Sequence, residues 1–119
     1  MTDYLWVAAG GAVGAAARHA MTVAVGARQF PWGTFAVNVC GAFLIGVIVF
    51  AWERYGGTHE SDLLLRVGVC GGFTTFSSFS LDTWRLLEQG NVASAVVYVL
   101  ASVLVCLGAL RFARMIFAG

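Results

Sequence analysis

Hydrophobic positions run along this chain in four long blocks, residues 4–25, 32–52, 63–87 and 92–117. None of them alternates with the period of two that a half-buried strand would show. A bilayer core about 30 Å thick needs about 20 mostly apolar residues per helix, and each block meets or approaches that length. Strands in an open sheet would leave backbone groups unpaired in lipid, whereas helices pair their own. The pattern therefore predicts an all-α membrane protein: four transmembrane helices with short loops, forming a single transmembrane domain over residues 1–119, with both termini on one side. Trp32 and Trp52 bracket the second block at positions suited to the two membrane interfaces. The only long polar connector is Glu53 to Asp62.

Within this apolar pattern the polar exceptions stand out, above all in the third block. Residues 71–80 read Gly-Gly-Phe-Thr-Thr-Phe-Ser-Ser-Phe-Ser. Consecutive glycines each weaken a helix by up to about 1 kcal/mol relative to alanine, and Thr74, Thr75, Ser77, Ser78 and Ser80 can cap the backbone groups that a break would free. The third helix is thus expected to be broken near its middle, at residues 71–75. Irregular backbone at membrane depth is tolerated where protein buries it or where it lines a watery cavity. Broken membrane helices often hold ions, cations at unwound carbonyls and anions at half-helix N-termini; a packed kink satisfied by its own hydroxyls is the plainer alternative. Phe73, Phe76 and Phe79 follow at spacings of three and are expected on one face of the resumed helix. Their ring edges carry partial positive charge, which beside hydroxyl donors suits a small anion.

Three further stripes accompany the break. Thr34, Asn38 and Gly41 share a face of the second block, where an intramembrane asparagine serves either as interhelical glue or as pore lining. Ser94, Tyr98 and Ser102 repeat every four residues in the last block. Gly10, Gly14 and Arg18 do the same in the first, Gly10 and Gly14 forming a small-xxx-small pair for close helix approach. Arg18 either snorkels to the interface or concentrates anions at a vestibule. Asp82, just after the break, reads as an interface charge or a partner for an arginine.

Composition agrees with lipid as the solvent. Hydrophobic residues make up 60% of the chain and charged residues 11%, against about 25% charged in soluble domains; the mean hydropathy is +0.84. The net charge of +1 comes with seven cationic residues, all arginine and scattered, which argues against nucleic acid as a partner. Cys40, Cys70 and Cys106 lie singly, without metal-ligand spacing, and read as apolar filler. His19 and His59 are also isolated. Asp3 is acidic and no cation precedes Arg18, so the first block is expected to stay as a helix rather than to be cleaved as a signal peptide. Arg54, Arg66, Arg111 and Arg114 flank one side and Arg28 and Arg85 the other, with Arg18 near the end of the first block. That weak bias suits insertion in both orientations and an antiparallel, dual-topology homodimer.

These motifs together resemble the Fluc (CrcB-type) fluoride channels over essentially the whole chain. Gly11-Ala-Val-Gly14-Ala-Ala-Ala-Arg18 is similar to that family's first-helix motif, and Gly33-Thr34-Phe35-Ala36-Val37-Asn38 to its second. Gly71 to Ser80 resembles its third-helix break, and Tyr98 with Ser102 its fourth helix. The resemblance implies a fluoride-selective channel in the bacterial inner (plasma) membrane, multi-pass, that exports fluoride passively and relieves its toxicity. It implies an antiparallel homodimer with two fluoride pores and a structural sodium ion at its centre, bound by the backbone carbonyls of Gly71 and Thr74. It places Asn38, Phe76 and Phe79 in the pore, Thr34, Thr75, Ser77, Ser78, Tyr98 and Ser102 at polar positions near it, and Arg18 at its vestibule. His19 stands where the family often has an aromatic, and Ser78 where threonine is common.

Other readings fare less well on the residues. A small multidrug-type, proton-coupled exporter wants an acidic residue deep in the first helix, where this chain has Arg18 and keeps Asp3 at the end. A non-transporting membrane subunit would reduce the glycines and hydroxyls to packing. An enzyme is not expected, because no nucleophile–base pair or metal motif is visible, and no organic cofactor is implied.

Overall fold

The computed structural model describes residues 1–118, and these residues form helices and short connections without a strand. Helix α1 spans Thr2–Val25 and α2 spans Trp32–Tyr55. A third helical run, α3, is built from a single α turn at His59–Ser61, a wider i→i+5 helix at Asp62–Cys70 and an α turn at Gly71–Phe73. Helix α4 covers Phe76–Glu88 and α5 covers Val92–Ile116. Each boundary has a local cause. Gly26 and Gly56 end α1 and α2 with φ of 82° and 89°, a left-handed backbone that residues with a Cβ rarely adopt. Thr58 and Ser61 exchange side-chain and backbone hydrogen bonds, both 3.0 Å, in a capping box that opens α3.

Among the described residues two helices, α2 and α5, are long and apolar enough to cross a membrane, and both leave most of their surface outside the core. Helix α1 is as long as α2 but is rich in glycine and alanine and carries Arg18 and His19, which lowers its apolarity. The α3–α4 segment is divided by a gap of two residues, Thr74 and Thr75.

Glycines determine how α1 meets α3. A Cβ on Gly14 would collide with the Val69 carbonyl oxygen, and one on Gly72 would stand 2.5 Å from the carbonyl oxygen of Gly11. The two backbones therefore lie in direct contact, as small residues at membrane helix interfaces allow. The close pairing is what α1 contributes to the site: it places Arg18 next to the end of α3. A second close approach, between α2 and the gap, leaves room for Thr74 only because position 41 is glycine. Beside it, α5 packs along α2, and a small buried cluster of Leu86, Ala95 and Tyr98 ties α4 to α5 with Phe30, Phe35 and Phe79 around it.

The structure alters two expectations about the third segment. Gly71 and Gly72 are helical, Gly71 at φ −63° and ψ −38°; the departure comes later, at Thr74 with φ −81° and ψ 158° and at Thr75 with φ −151° and ψ 109°. Gly72 serves close packing against Gly11 and does not unwind the helix, while a Cβ on Gly71 would meet nothing within 4 Å. Phe73 lies before the gap and is buried, so it does not share a face of the resumed helix with Phe76 and Phe79.

Candidate functional site

The site is built around the Thr74–Thr75 gap. In an uninterrupted helix the Thr75 N–H would bond to the carbonyl of Gly71, four residues back. Here it donates to Asn38 Oδ1 at 2.9 Å, while Asn38 Nδ2 donates to the Thr75 carbonyl at 3.1 Å. One side-chain amide from α2 thus satisfies both backbone groups of a buried residue in extended conformation. The Thr74 N–H still reaches the Cys70 carbonyl at 3.0 Å, and its hydroxyl donates to the same oxygen at 2.9 Å. On the far side, Thr75 Oγ1 accepts the Ser78 N–H at 3.1 Å and caps α4. Ser77 Oγ lies 3.3 Å from Thr75 Oγ1.

Arg18 takes up the next freed group. Its Nε donates to the Gly72 carbonyl at 3.1 Å, so the guanidinium is anchored on the end of α3 instead of reaching away from it. The carbonyl of Gly71 loses its helical partner to Asn38, and the carbonyl of Thr74 belongs to the extended gap itself.

Two clefts flank this arrangement and share Thr75. The first, about 410 Å³, is lined by Asn38, Gly71, Thr74, Thr75, Phe76, Phe79 and Ser102, with Gly41, Cys70, Cys106 and Arg66 among its other walls. Its surface is mostly apolar, and Ser102 Oγ is buried there without a hydrogen-bond partner among the described residues. The second, about 290 Å³, is lined by Ala15, Arg18, His19, Thr22, Thr34, Val37, Thr75 and Ser78. It is the more polar of the two, with one fixed cation at its wall. Ser77 and Tyr98 line neither cleft.

The aromatic residues continue from the gap into α5. The Phe76 and Phe79 rings lie 5.6 Å apart, and Phe79 stands 5.1 Å from Tyr98. Phe76 is 78% exposed, whereas Tyr98 is fully buried. Buried tyrosine needs a partner for its hydroxyl, and Tyr98 finds it in Asp82 Oδ2 at 3.2 Å. Asp82 is therefore bound to a phenol and not to an arginine. Its pairing with Tyr98 was not legible in the sequence; the signal for it was a lone acid about two turns past the gap and a tyrosine in an apolar helix. At the other end of α3, Arg66 grips Asp62 through two bonds of 2.6 and 2.9 Å, which hold the Asp62 carboxyl below the usual carboxylate range.

The site that results is a helix interrupted inside an apolar bundle, its freed backbone held by an asparagine and an arginine, with hydroxyls and phenylalanines on the resumed turn. Such an interruption beside long apolar helices fits a membrane protein, where irregular backbone is tolerated only when protein or a cavity surrounds it.

Comparison with known proteins places the chain in a family. The model of the family described as CrcB-like protein, Camphor Resistance (CrcB), matches residues 5–114, and the chain belongs to that family. A relative from Geobacter sulfurreducens is 51% identical over 111 residues, covering 90% of each chain. One from Nitrobacter winogradskyi is 45% identical over 113 residues, covering 92% of this chain and 90% of its own. One from Phocaeicola vulgatus is 41% identical over 106 residues, covering 87% and 88%. Each of these relatives is named a fluoride-specific ion channel FluC.

Proposed function

We propose that this protein is a fluoride-selective channel of the bacterial inner membrane, formed by four membrane-crossing helices of which the third, α3–α4, is interrupted. The observation that carries the reading is the Asn38 clamp on Thr75, because it holds the interruption open at a defined place between two clefts. It is joined by the kinship of nearly the whole chain to relatives named fluoride-specific ion channels. The protein is a channel and not an enzyme.

The chemistry follows from the donors available. Fluoride is small and accepts hydrogen bonds strongly, so a narrow path must replace its water without trapping it. Hydroxyls of Thr34, Thr75, Ser77, Ser78 and Ser102, the Asn38 amide and the positive ring edges of Phe76 and Phe79 are donors of moderate strength. The Tyr98 ring lies against Phe79, its centroid 5.1 Å away, and its hydroxyl is held by Asp82. Arg18 raises the local anion concentration at the vestibule while its bond to Gly72 keeps it out of the path. Fluoride enters cells as the neutral acid and is trapped as the anion; an inside-negative potential then favours exit by about 2.3 kcal/mol per charge per 100 mV. Passive flow suffices to relieve toxicity.

The reading includes an antiparallel, dual-topology homodimer. The 410 Å³ cleft opens on the chain's surface beside the exposed Phe76, and a second copy across that face would enclose it. The residues also suit a structural sodium ion at the twofold. Gly71 and Thr74 line the cleft, the Gly71 carbonyl is relieved of its helical partner, and hard cations prefer oxygen donors. Two copies would supply four carbonyls; the ion would contribute charge that draws the two interruptions together. The experiment is fluoride release from liposomes holding the purified chain, followed with a fluoride electrode. Rapid release is expected; intact dimers that release none would favour a non-transporting subunit instead.

A further inference from the structure

Arg66 is shared by two cavities. It stands in the wall of the 410 Å³ cleft, where it is the only charged side chain among the described residues. It also borders a recess of about 480 Å³ at the start of α3, beside Trp52, Glu53 and His59. Gly71 and Thr74, whose carbonyls are the oxygen donors of the interruption, line the same cleft as Arg66. Asp62 lines the recess and not the cleft. It takes Nε and Nη2 of Arg66 on its two oxygens, at 2.6 and 2.9 Å, the forked pairing that fixes a guanidinium in direction as well as in charge. The other charged groups at the recess are engaged elsewhere, Glu53 with Arg114 at 3.2 Å and His59 with Asp3 at 3.3 Å. Among the described residues, Asp62 is the one carboxylate in an ion pair with Arg66. A pair four residues apart on a helix adds little to stability, so its place in this wall matters more than its strength.

We propose that Asp62 is a charge-balancing residue for the cation site: it cancels the Arg66 charge that otherwise opposes a cation at the Gly71 and Thr74 carbonyls. This rests on the sodium reading above and adds a determinant of affinity that lies outside the ligands. A bare guanidinium in the cleft wall repels a cation held by those carbonyls. The paired one presents almost no net charge to the cleft, because Asp62 holds it from the recess side. A unit charge about 10 Å away, at an effective dielectric of about 20, shifts the affinity for a cation on the order of tenfold. Screening by salt reduces that to a few-fold.

The test is a sodium titration of the melting temperature of the purified protein in detergent, with a bulky organic cation holding the ionic strength constant. The readout is the sodium dissociation constant, taken from the concentration at which stabilisation sets in, and not the melting temperature itself, which any lost ion pair lowers. Asp62→Asn is expected to raise that constant about threefold or more, and Arg66→Gln to lower it by a similar factor. The double variant Asp62→Asn with Arg66→Gln, again without net charge at the pair, is expected to return to within about twofold of wild type even where it melts lower. Single variants that leave the constant unchanged, or that move it in the same direction, overturn the proposal and reduce the pair to a helix contact. A double variant that binds sodium as weakly as Asp62→Asn overturns it too. A wild type whose melt ignores sodium would instead strike the sodium reading, and this inference with it.

Discussion

Asn38 and Thr75 are joined by a reciprocal pair of hydrogen bonds, 2.9 and 3.1 Å, between one side-chain amide and both backbone groups of a single residue. The pairing explains how a helix can stop inside an apolar bundle and resume two residues later. It also makes the clamp sensitive. Asn38→Ala leaves the N–H and C=O of a buried residue unsatisfied, at about 1–3 kcal/mol for each group. The variant is expected to melt several degrees lower in detergent and to lose at least tenfold in fluoride flux. Asn38→Asp keeps the acceptor for the Thr75 N–H but faces the Thr75 carbonyl with a second oxygen, so it is expected to rescue neither property fully. Unchanged melting and flux in Asn38→Ala would remove the clamp from the account.

Two glycines of one helix make a paired test of the packing. Gly14→Ala drives a methyl into the Val69 carbonyl, whereas a Cβ at Gly11 meets nothing within 4 Å. Loss of folded protein, by size-exclusion profile and thermal melt, is expected for Gly14→Ala and not for Gly11→Ala. Equal tolerance of both would contradict the close backbone contact between α1 and α3.

The phenylalanines should separate function from stability. Phe76 is largely exposed within the chain, while Phe79 packs on Tyr98. Phe76→Ile is expected to cut fluoride flux at least tenfold with little change in melting temperature. Phe79→Ile is expected to cut flux similarly and also to lower stability by about 1 kcal/mol, the scale of an aromatic pair. Full flux in both variants would take the rings out of the pathway.

Sodium should behave as a ligand of the folded assembly. A cation that binds only the native state stabilises it by mass action, about 2.7 kcal/mol at one hundred times its dissociation constant. Replacing sodium with a bulky organic cation at constant ionic strength is expected to lower the melting temperature of the purified protein and to weaken the dimer. Identical melts in the two salts would argue against a sodium site at Gly71 and Thr74.

The polar residues inside the apolar segments were easier to read from the sequence than the geometry that joins them. A hydroxyl-rich run inside an apolar block, one intramembrane asparagine and one arginine are conspicuous because each is costly in lipid. What they bond to was not legible, because Asn38 and Thr75, or Arg18 and Gly72, meet only through tertiary packing. The glycine pair misled for a physical reason: Gly71-Gly72 weakens a helix in isolation, yet Gly72 is needed for contact with Gly11, and the helix persists through it. The wider helix at Asp62–Cys70 was not legible either, because its i→i+5 bonds are a matter of backbone geometry that residue types alone do not specify. The mismatch also accounts for Phe73, which shares the spacing of Phe76 and Phe79 but falls on the other side of a gap placed three residues later than the glycines suggested.

Selectivity is the property on which the account depends most. Purified protein in liposomes loaded with equal fluoride and chloride, with potassium efflux supported by valinomycin, allows both anions to be followed from the same vesicles by ion-selective electrodes. The account predicts that fluoride leaves within seconds to minutes while chloride is retained as in protein-free vesicles. Chloride leaving at a comparable rate would contradict it.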